Sequence, residues 1–152
     1  MHRRTGLMTL ALAACSGPAS ASEGPEIVGD WRTVRHSAEV RIEDCGDGSP
    51  CGFLVSAGPD IVRGRTHDEN NRDAELRHRR LNGLPILWGY SRKAEGWKNG
   101  RLYNPATGQT FQSSLNLISS DRLRVKGCLG PGCREQIWTR IPAPQTAQLQ
   151  DK

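Results

Sequence analysis

The sequence lacks most of the signals that announce a chemistry. It has no Gly-x-Ser-x-Gly, so the nucleophile turn of acyl hydrolases is missing. It has no Cys-x-x-Cys, which excludes the common redox motif, and no Cys-x-x-Cys-His for haem attachment. No histidine stands near its cysteine pairs, which argues against zinc. Asp68-x-Asn70-x-Arg72 begins like a calcium loop. It puts arginine at the third ligand position and lacks the glycine and the closing glutamate. His67-Asp68-Glu69 sets a histidine beside carboxylates, but no nucleophile accompanies it, and it reads as solvated loop. His36 and His78 stand alone and read as surface. No catalytic residue, metal or cofactor is assigned, and an enzyme is the least favoured class. Beyond residue 21 no apolar run is long enough to span a bilayer as a helix.

The N-terminus carries a sorting signal. His2, Arg3 and Arg4 form a basic start, and "LMTLALAA" (7–14) an apolar stretch too short to span as a helix. Ala19-Ser20-Ala21 fits a small-x-small cleavage site, giving a signal peptide over 1–21 and a mature start at Ser22. Leu12-Ala13-Ala14-Cys15 also fits a bacterial lipobox, in which Cys15 would be lipidated and become residue one. Both readings stand, and both export the chain to the periplasm or beyond. The formal charge of +5 drops by two when Arg3 and Arg4 leave, which is weak attraction for an anionic partner.

Four cysteines remain after residue 21: Cys45, Cys51, Cys128 and Cys133. An even number in an oxidising compartment favours disulfides, with three possible connectivities. "CGDGSPC" and "CLGPGC" each enclose a Gly/Pro turn between strand-like runs. Such turns bring their flanks within disulfide reach, so Cys45–Cys51 and Cys128–Cys133 are the favoured bridges.

From residue 25 the pattern is period-two alternation broken by turns. Strands are predicted at Ile27–Trp31, Glu39–Glu43, Cys51–Ala57, Leu84–Tyr90, Trp97–Tyr103, Thr110–Ile118, Arg122–Lys126 and Glu135–Arg140. Gly100 would permit a hairpin bend in the fifth. About eight short antiparallel strands predict an all-β up-and-down barrel or sandwich over 25–141. Residues 58–83 interrupt the rhythm. This charged loop, with a helical turn within Asn71–Arg77, is long enough to suggest function or mobility. The tail, 142–152, has no apolar periodicity and reads as disordered.

Several features together resemble one family. They are Gly29-Asp30-Trp31, the Cys45…Cys51-Gly52 pair, and Arg77-x-Arg79-x-Leu81-x-Gly83. They continue with Trp97-x-x-Gly100-x-x-Tyr103-x-Pro105-x-x-Gly108-x-x-Phe111, then Gly127-Cys128 and Trp138-Thr139-Arg140. This combination is similar to the bacterial domain-of-unknown-function 2147 family of small exported proteins, over about residues 25–141. Asn99, Asn104 and Arg80 depart from its pattern, at positions where glycine, aspartate and proline are usual. The family carries no established activity, so the resemblance supplies no catalytic residues. A looser likeness to lipocalin and calycin barrels implies a role for Trp31 and Arg140. There a first-strand tryptophan closes one end of the barrel, and a last-strand arginine packs across its face.

Two function classes follow. One is a small-molecule or lipid-binding barrel of the envelope, with Trp88, Tyr90, Trp97, Tyr103, Arg77 and Arg79 as possible ligand or partner contacts. The alternative is a structural or protein-interaction module with a filled barrel and function on the 58–83 loop. Arg122, Arg124 and Lys126 would suit an anionic envelope surface, although exposed strand faces carry charge in any case. Nucleic acid does not fit the compartment. A hollow interior of ligand size would favour the first class.

Overall fold

The computed structural model describes residues 26–34 and 38–144. The expected signal peptide over 1–21, Cys15, His36 and residues 145–152 of the tail lie outside the described residues. Alternation of apolar and polar side chains sets the strands. In β2 (Glu39–Asp44), Val40 and Ile42 are buried while Arg41 and Glu43 are exposed. The other strands are β1 (Gly29–Arg32), β3 (Pro50–Ser56), β4 (Pro85–Trp88), β5 (Ser91–Lys93), β6 (Gly96–Asn104), β7 (Gln109–Ser119), β8 (Arg122–Leu129) and β9 (Gly132–Arg140).

Strands adjacent in sequence pair antiparallel, apart from β4 and β5. Those two are one interrupted stave: β4 pairs with β6 at Leu102 and Arg101, and β5 pairs with it at Lys98 to Gly96. Pairing of β1 with β9 closes the ring, so the molecule is an eight-staved up-and-down barrel. Among the described residues closure leaves no long unpaired edge to recruit another chain.

Two local expectations change. Gly100 does not turn the chain. It lies inside β6 beside a bulge, with Asn99 at φ 62°, and the Tyr90 ring occupies the space a side chain would need. Asn is among the few non-glycine residues that tolerate this conformation. The hairpin instead turns between Lys93 and Gly96. The last strand begins at Gly132, so Cys133 sits within it, directly opposite Cys128. The long segment holds one helical turn, α1 (Pro59–Val62), and a 3-10 turn at Ala74–Leu76. Asp73 caps the latter by accepting from the Glu75 backbone N–H, 3.0 Å.

Cys45–Cys51 closes the β2–β3 loop and Cys128–Cys133 the β8–β9 hairpin. Loops this short restrict the unfolded chain modestly, about 2 kcal/mol each. The up-and-down path puts the two bridges at opposite ends. One end carries the β2–β3, β5–β6 and β7–β8 turns and the finish of β9. The other carries the β1–β2 connection, the 57–84 segment and the β6–β7 and β8–β9 turns.

Candidate functional site

The inward-facing rows taper along the barrel axis. On β8 the row reads Leu123, Val125, Gly127, and opposite it on β9 stand Trp138, Gln136 and Arg134. Leu123, Val125 and Trp138 are buried, while Gly127 has no side chain and Arg134 is exposed. At the end where β9 finishes, Trp31, Ile42, Leu87, Leu115 and Leu123 fill the interior. Toward the other end the filling stops, and a cavity of about 910 Å³ opens. Val40, Leu54, Ile86, Leu102, Phe111 and Trp138 contribute to its walls, with Arg63, Arg134 and Gln136 among the polar lining. Trp138 is held in place by its indole N–H, which donates to Gln136 Oε1 at 3.1 Å. Ile61, from the helical turn α1, is buried and reaches the cavity from the long segment.

That segment is docked on the barrel, although much of its outer face is exposed. Asp68 has no exposed surface, which corrects the reading of His67-Asp68-Glu69. Tyr103 Oη donates to Asp68 Oδ1 at 2.6 Å, and Asn71 Nδ2 and Arg79 Nη2 donate to Oδ2 at 2.7 and 3.0 Å. Its backbone is tied as well, with Asp68 N–H donating to Arg79 O and Leu81 N–H to Thr66 O. A buried carboxylate is tolerated only when hydrogen-bonded or paired, and this one is both. Asn70 donates to the carbonyls of Pro105 and Ala106 in the β6–β7 turn. Gly108, at φ +69°, brings that turn so close to the Asn70 carbonyl that a side chain would collide with backbone. The Tyr103-x-Pro105-x-x-Gly108 part of that spacing is thus a docking strip for the long segment. Burial, then the Asp68 carboxylate, raises the Tyr103 phenol above its ordinary range.

The opposite end is sealed by Trp31 and Arg140. The Arg140 guanidinium lies 4.2 Å from the centre of the Trp31 ring. Arg140 Nε donates to Ser120 O at 2.5 Å, Nη1 to Val28 O at 2.7 Å and Nη2 to Glu26 O at 2.9 Å. Trp31 Nε1 donates to Ile27 O at 2.8 Å. Gly29, at φ +136°, leaves the space that Arg140 Nη1 fills, so a side chain there would displace it. Desolvation lowers the pKa of Arg140.

Of the residues expected to contact a ligand, Tyr103 borders the cavity. Trp88 is exposed on the outside. Tyr90 is buried, with its hydroxyl donating to Ser113 Oγ at 2.8 Å, and burial raises its pKa. Trp97 is buried under Arg92, whose guanidinium is 5.2 Å from the ring centre. Arg77 donates to Asn71 O, and Arg79 pairs with Asp68. Sequence reading passed over Asp68 as a buried anchor and Arg63 and Arg134 at the cavity. Arg134 was accessible by extending the alternation of Trp138 and Gln136 back through the hairpin. The burial of Asp68 has little local signal, because Tyr103, which donates to Oδ1 from the barrel wall, lies 35 residues away. Among the described residues, no group of three His, Cys, Asp or Glu side chains is arranged to hold a metal.

No curated protein matches the chain. A solved structure, protein HP1028 from the human pathogen Helicobacter pylori, is described as belonging to the lipocalin family. It is similar at a TM-score of 0.66 and 21% identity, over 78% of this chain and 84% of that one. At that identity the likeness is one of fold. Residues 29–140 match the bacterial family described as "Uncharacterized protein conserved in bacteria (DUF2147)". That span takes in every strand of the barrel, and the chain belongs to this family.

Proposed function

We propose that this protein is an exported, non-enzymatic binding barrel of the bacterial cell envelope, which holds one small apolar molecule or lipid chain in the mouth cavity. The observation that carries this reading is the cavity itself. Its volume, about 910 Å³, falls within the ~300–1,000 Å³ typical of small-molecule sites. Its walls are largely apolar, with a few polar groups among them. Eight-stranded barrels of the lipocalin type hold one small ligand in this way. The two disulfides support an oxidising compartment, hence export with a mature start at Ser22 or a lipidated Cys15. The filled-barrel alternative has less support. The interior is filled only toward the Trp31 end, and the long segment turns its polar groups onto Asp68.

The test is direct. Purified exported protein is examined by native mass spectrometry for a co-purifying ligand. It is then titrated with the neutral apolar fluorophore N-phenyl-1-naphthylamine. Saturable binding at one site, with quenching of tryptophan emission through Trp138, is the expected result. Absence of both ligand and saturable binding would return the protein to the filled-barrel class. Cys15→Ser separates the two export routes, since only lipidation requires that thiol.

A further inference from the structure

We infer that the ligand is a single-chain amphipathic anion, with its chain in the cavity and its headgroup held at the mouth by Arg134 and Arg63. This rests on the binding reading above and deepens it. Arg134 stands directly opposite Gly127 in the β8–β9 pairing. A side chain built on Gly127 would meet Leu102 and Phe111, both cavity-lining, so that register position faces inward. Arg134 therefore continues the row of Trp138 and Gln136, and Gly127 leaves open the space beside it.

An arginine on the inward face of an apolar barrel is costly without a partner. At the mouth water solvates it, yet surface arginines on outward rows would serve solubility equally well. Arg63 comes to the same opening from another direction. It ends α1 in the left-handed conformation, φ 44°, which any non-glycine residue adopts only at a cost. Among the described residues, neither Arg63 nor Arg134 forms an ion pair or a side-chain hydrogen bond. One carboxylate, Asp60, also lines the cavity and pairs with neither. Two cations therefore line the apolar cavity against one carboxylate. Guanidinium groups suit carboxylate and phosphate oxygens, and the chain of such a ligand matches the walls below.

The experiment compares four twelve-carbon probes by displacement of N-phenyl-1-naphthylamine: dodecanoate, dodecyl phosphate, dodecanol and dodecylamine. At low salt one or both anions should bind about tenfold more tightly than dodecanol, and dodecylamine most weakly. Which anion leads separates a carboxylate from a phosphate headgroup. Arg134→Gln and Arg63→Gln should each weaken the anions about three- to tenfold and leave dodecanol unchanged. Arg134→Glu should narrow or invert the order of dodecanoate and dodecylamine. Arg134 is exposed, so these variants should fold, and unchanged dodecanol binding confirms that they have. If dodecanol equals the anions, or neither arginine matters, the headgroup inference is overturned while the binding reading stands. If no probe displaces the fluorophore and none binds by calorimetry, both fall together.

Discussion

The two ends of this barrel are built from the same strands and do opposite things. At the Trp31 end, inward positions carry large apolar side chains, and one arginine gathers three backbone carbonyls and an indole face. At the mouth, the same rows thin out to Gly127, Gln136 and Arg134, and space opens. The mouth keeps its shape by other means. The long segment is docked on the wall through a buried carboxylate, with Ile61 reaching the cavity as an apolar contact. Stability and binding are therefore separated along the axis. Substitutions of the filling at the sealed end should destabilise the protein without touching affinity, and substitutions of exposed cavity-lining residues at the mouth should do the reverse.

The largest effect should come from the sealed end. Trp31 is fully buried, so Trp31→Ala should cost ~3–5 kcal/mol, a large part of the ~5–15 kcal/mol available to a domain. Arg140→Ala should cost about 2 kcal/mol. Chemical denaturation of the double variant should show a loss smaller than the two losses added, because both remove one stacked contact. Additive losses would mean that the stacking contributes nothing. Protein that remains folded should bind with unchanged affinity; weaker binding would break the separation of the two ends.

Next in size is Asp68, the anchor on the mouth side. Asp68→Ala leaves Tyr103 Oη, Asn71 Nδ2 and Arg79 Nη2 without their acceptor. Breaking a fully buried pair costs ~3–5 kcal/mol, and the partial exposure of Arg79 brings the expected loss to about 2–3 kcal/mol. Hydrogen exchange should rise first in residues 58–83, while the strands stay protected. Equal exchange across the whole barrel would show that the segment is not a separate unit.

Much of this architecture is legible in the sequence. Alternation in Val40/Ile42 and in Ser113/Leu115 marks half-buried strands with short turns, and that pattern carries over to the barrel. Both disulfides are the pairing that Gly/Pro turns bounded by strand-like runs favour among three. What failed to show has a common cause. The inward face of β6 is rephased by a bulge at Asn99, which alternation cannot anticipate. The burial of Asp68 depends on contacts with a strand far along the chain. Aromatic side chains were natural choices for a cavity wall, yet Tyr90 and Trp97 are used as filling. The cavity exists where the inward row passes from Leu123 and Trp138 to Gly127 and Arg134, and such a change has no motif.

At the mouth a smaller effect should appear in binding rather than stability. Phe111 lines the cavity and is only half-buried. Phe111→Asp should weaken binding of N-phenyl-1-naphthylamine by about tenfold, since an apolar ligand would meet an uncompensated carboxylate. Its melting temperature should fall less than that of Trp31→Ala. A larger fall would place Phe111 among the residues that hold the fold.

The smallest effect is expected near neutrality, where the tyrosines should contribute no pH dependence at all. The chain has two, and they report on different regions. Tyr90 is enclosed in the filled part, whereas Tyr103 is covered by the docked segment. Burial raises both phenol pKa values, and for Tyr103 the Asp68 carboxylate raises it further. An unfolded tyrosine titrates near 10. Below that pH both states keep the proton, so the stabilisation is fully present and flat. Above it the unfolded chain releases protons that the folded chain retains. Stability then falls by about 1.4 kcal/mol per pH unit for each tyrosine, until the folded pKa is reached. Phenolate absorbance at 295 nm should therefore stay absent through pH 10 in the folded protein. It should then rise in two steps. Tyr103 should ionise first, when the long segment is released, with the tryptophan near-ultraviolet circular dichroism unchanged. Tyr90 should follow only with global unfolding. In Asp68→Asn the first step should move to lower pH, because the variant loses both the hold on the segment and the carboxylate charge that raises the Tyr103 pKa. A single step coincident with loss of the tryptophan signal would show that the two ends open together, and that the barrel is one cooperative unit from seal to mouth.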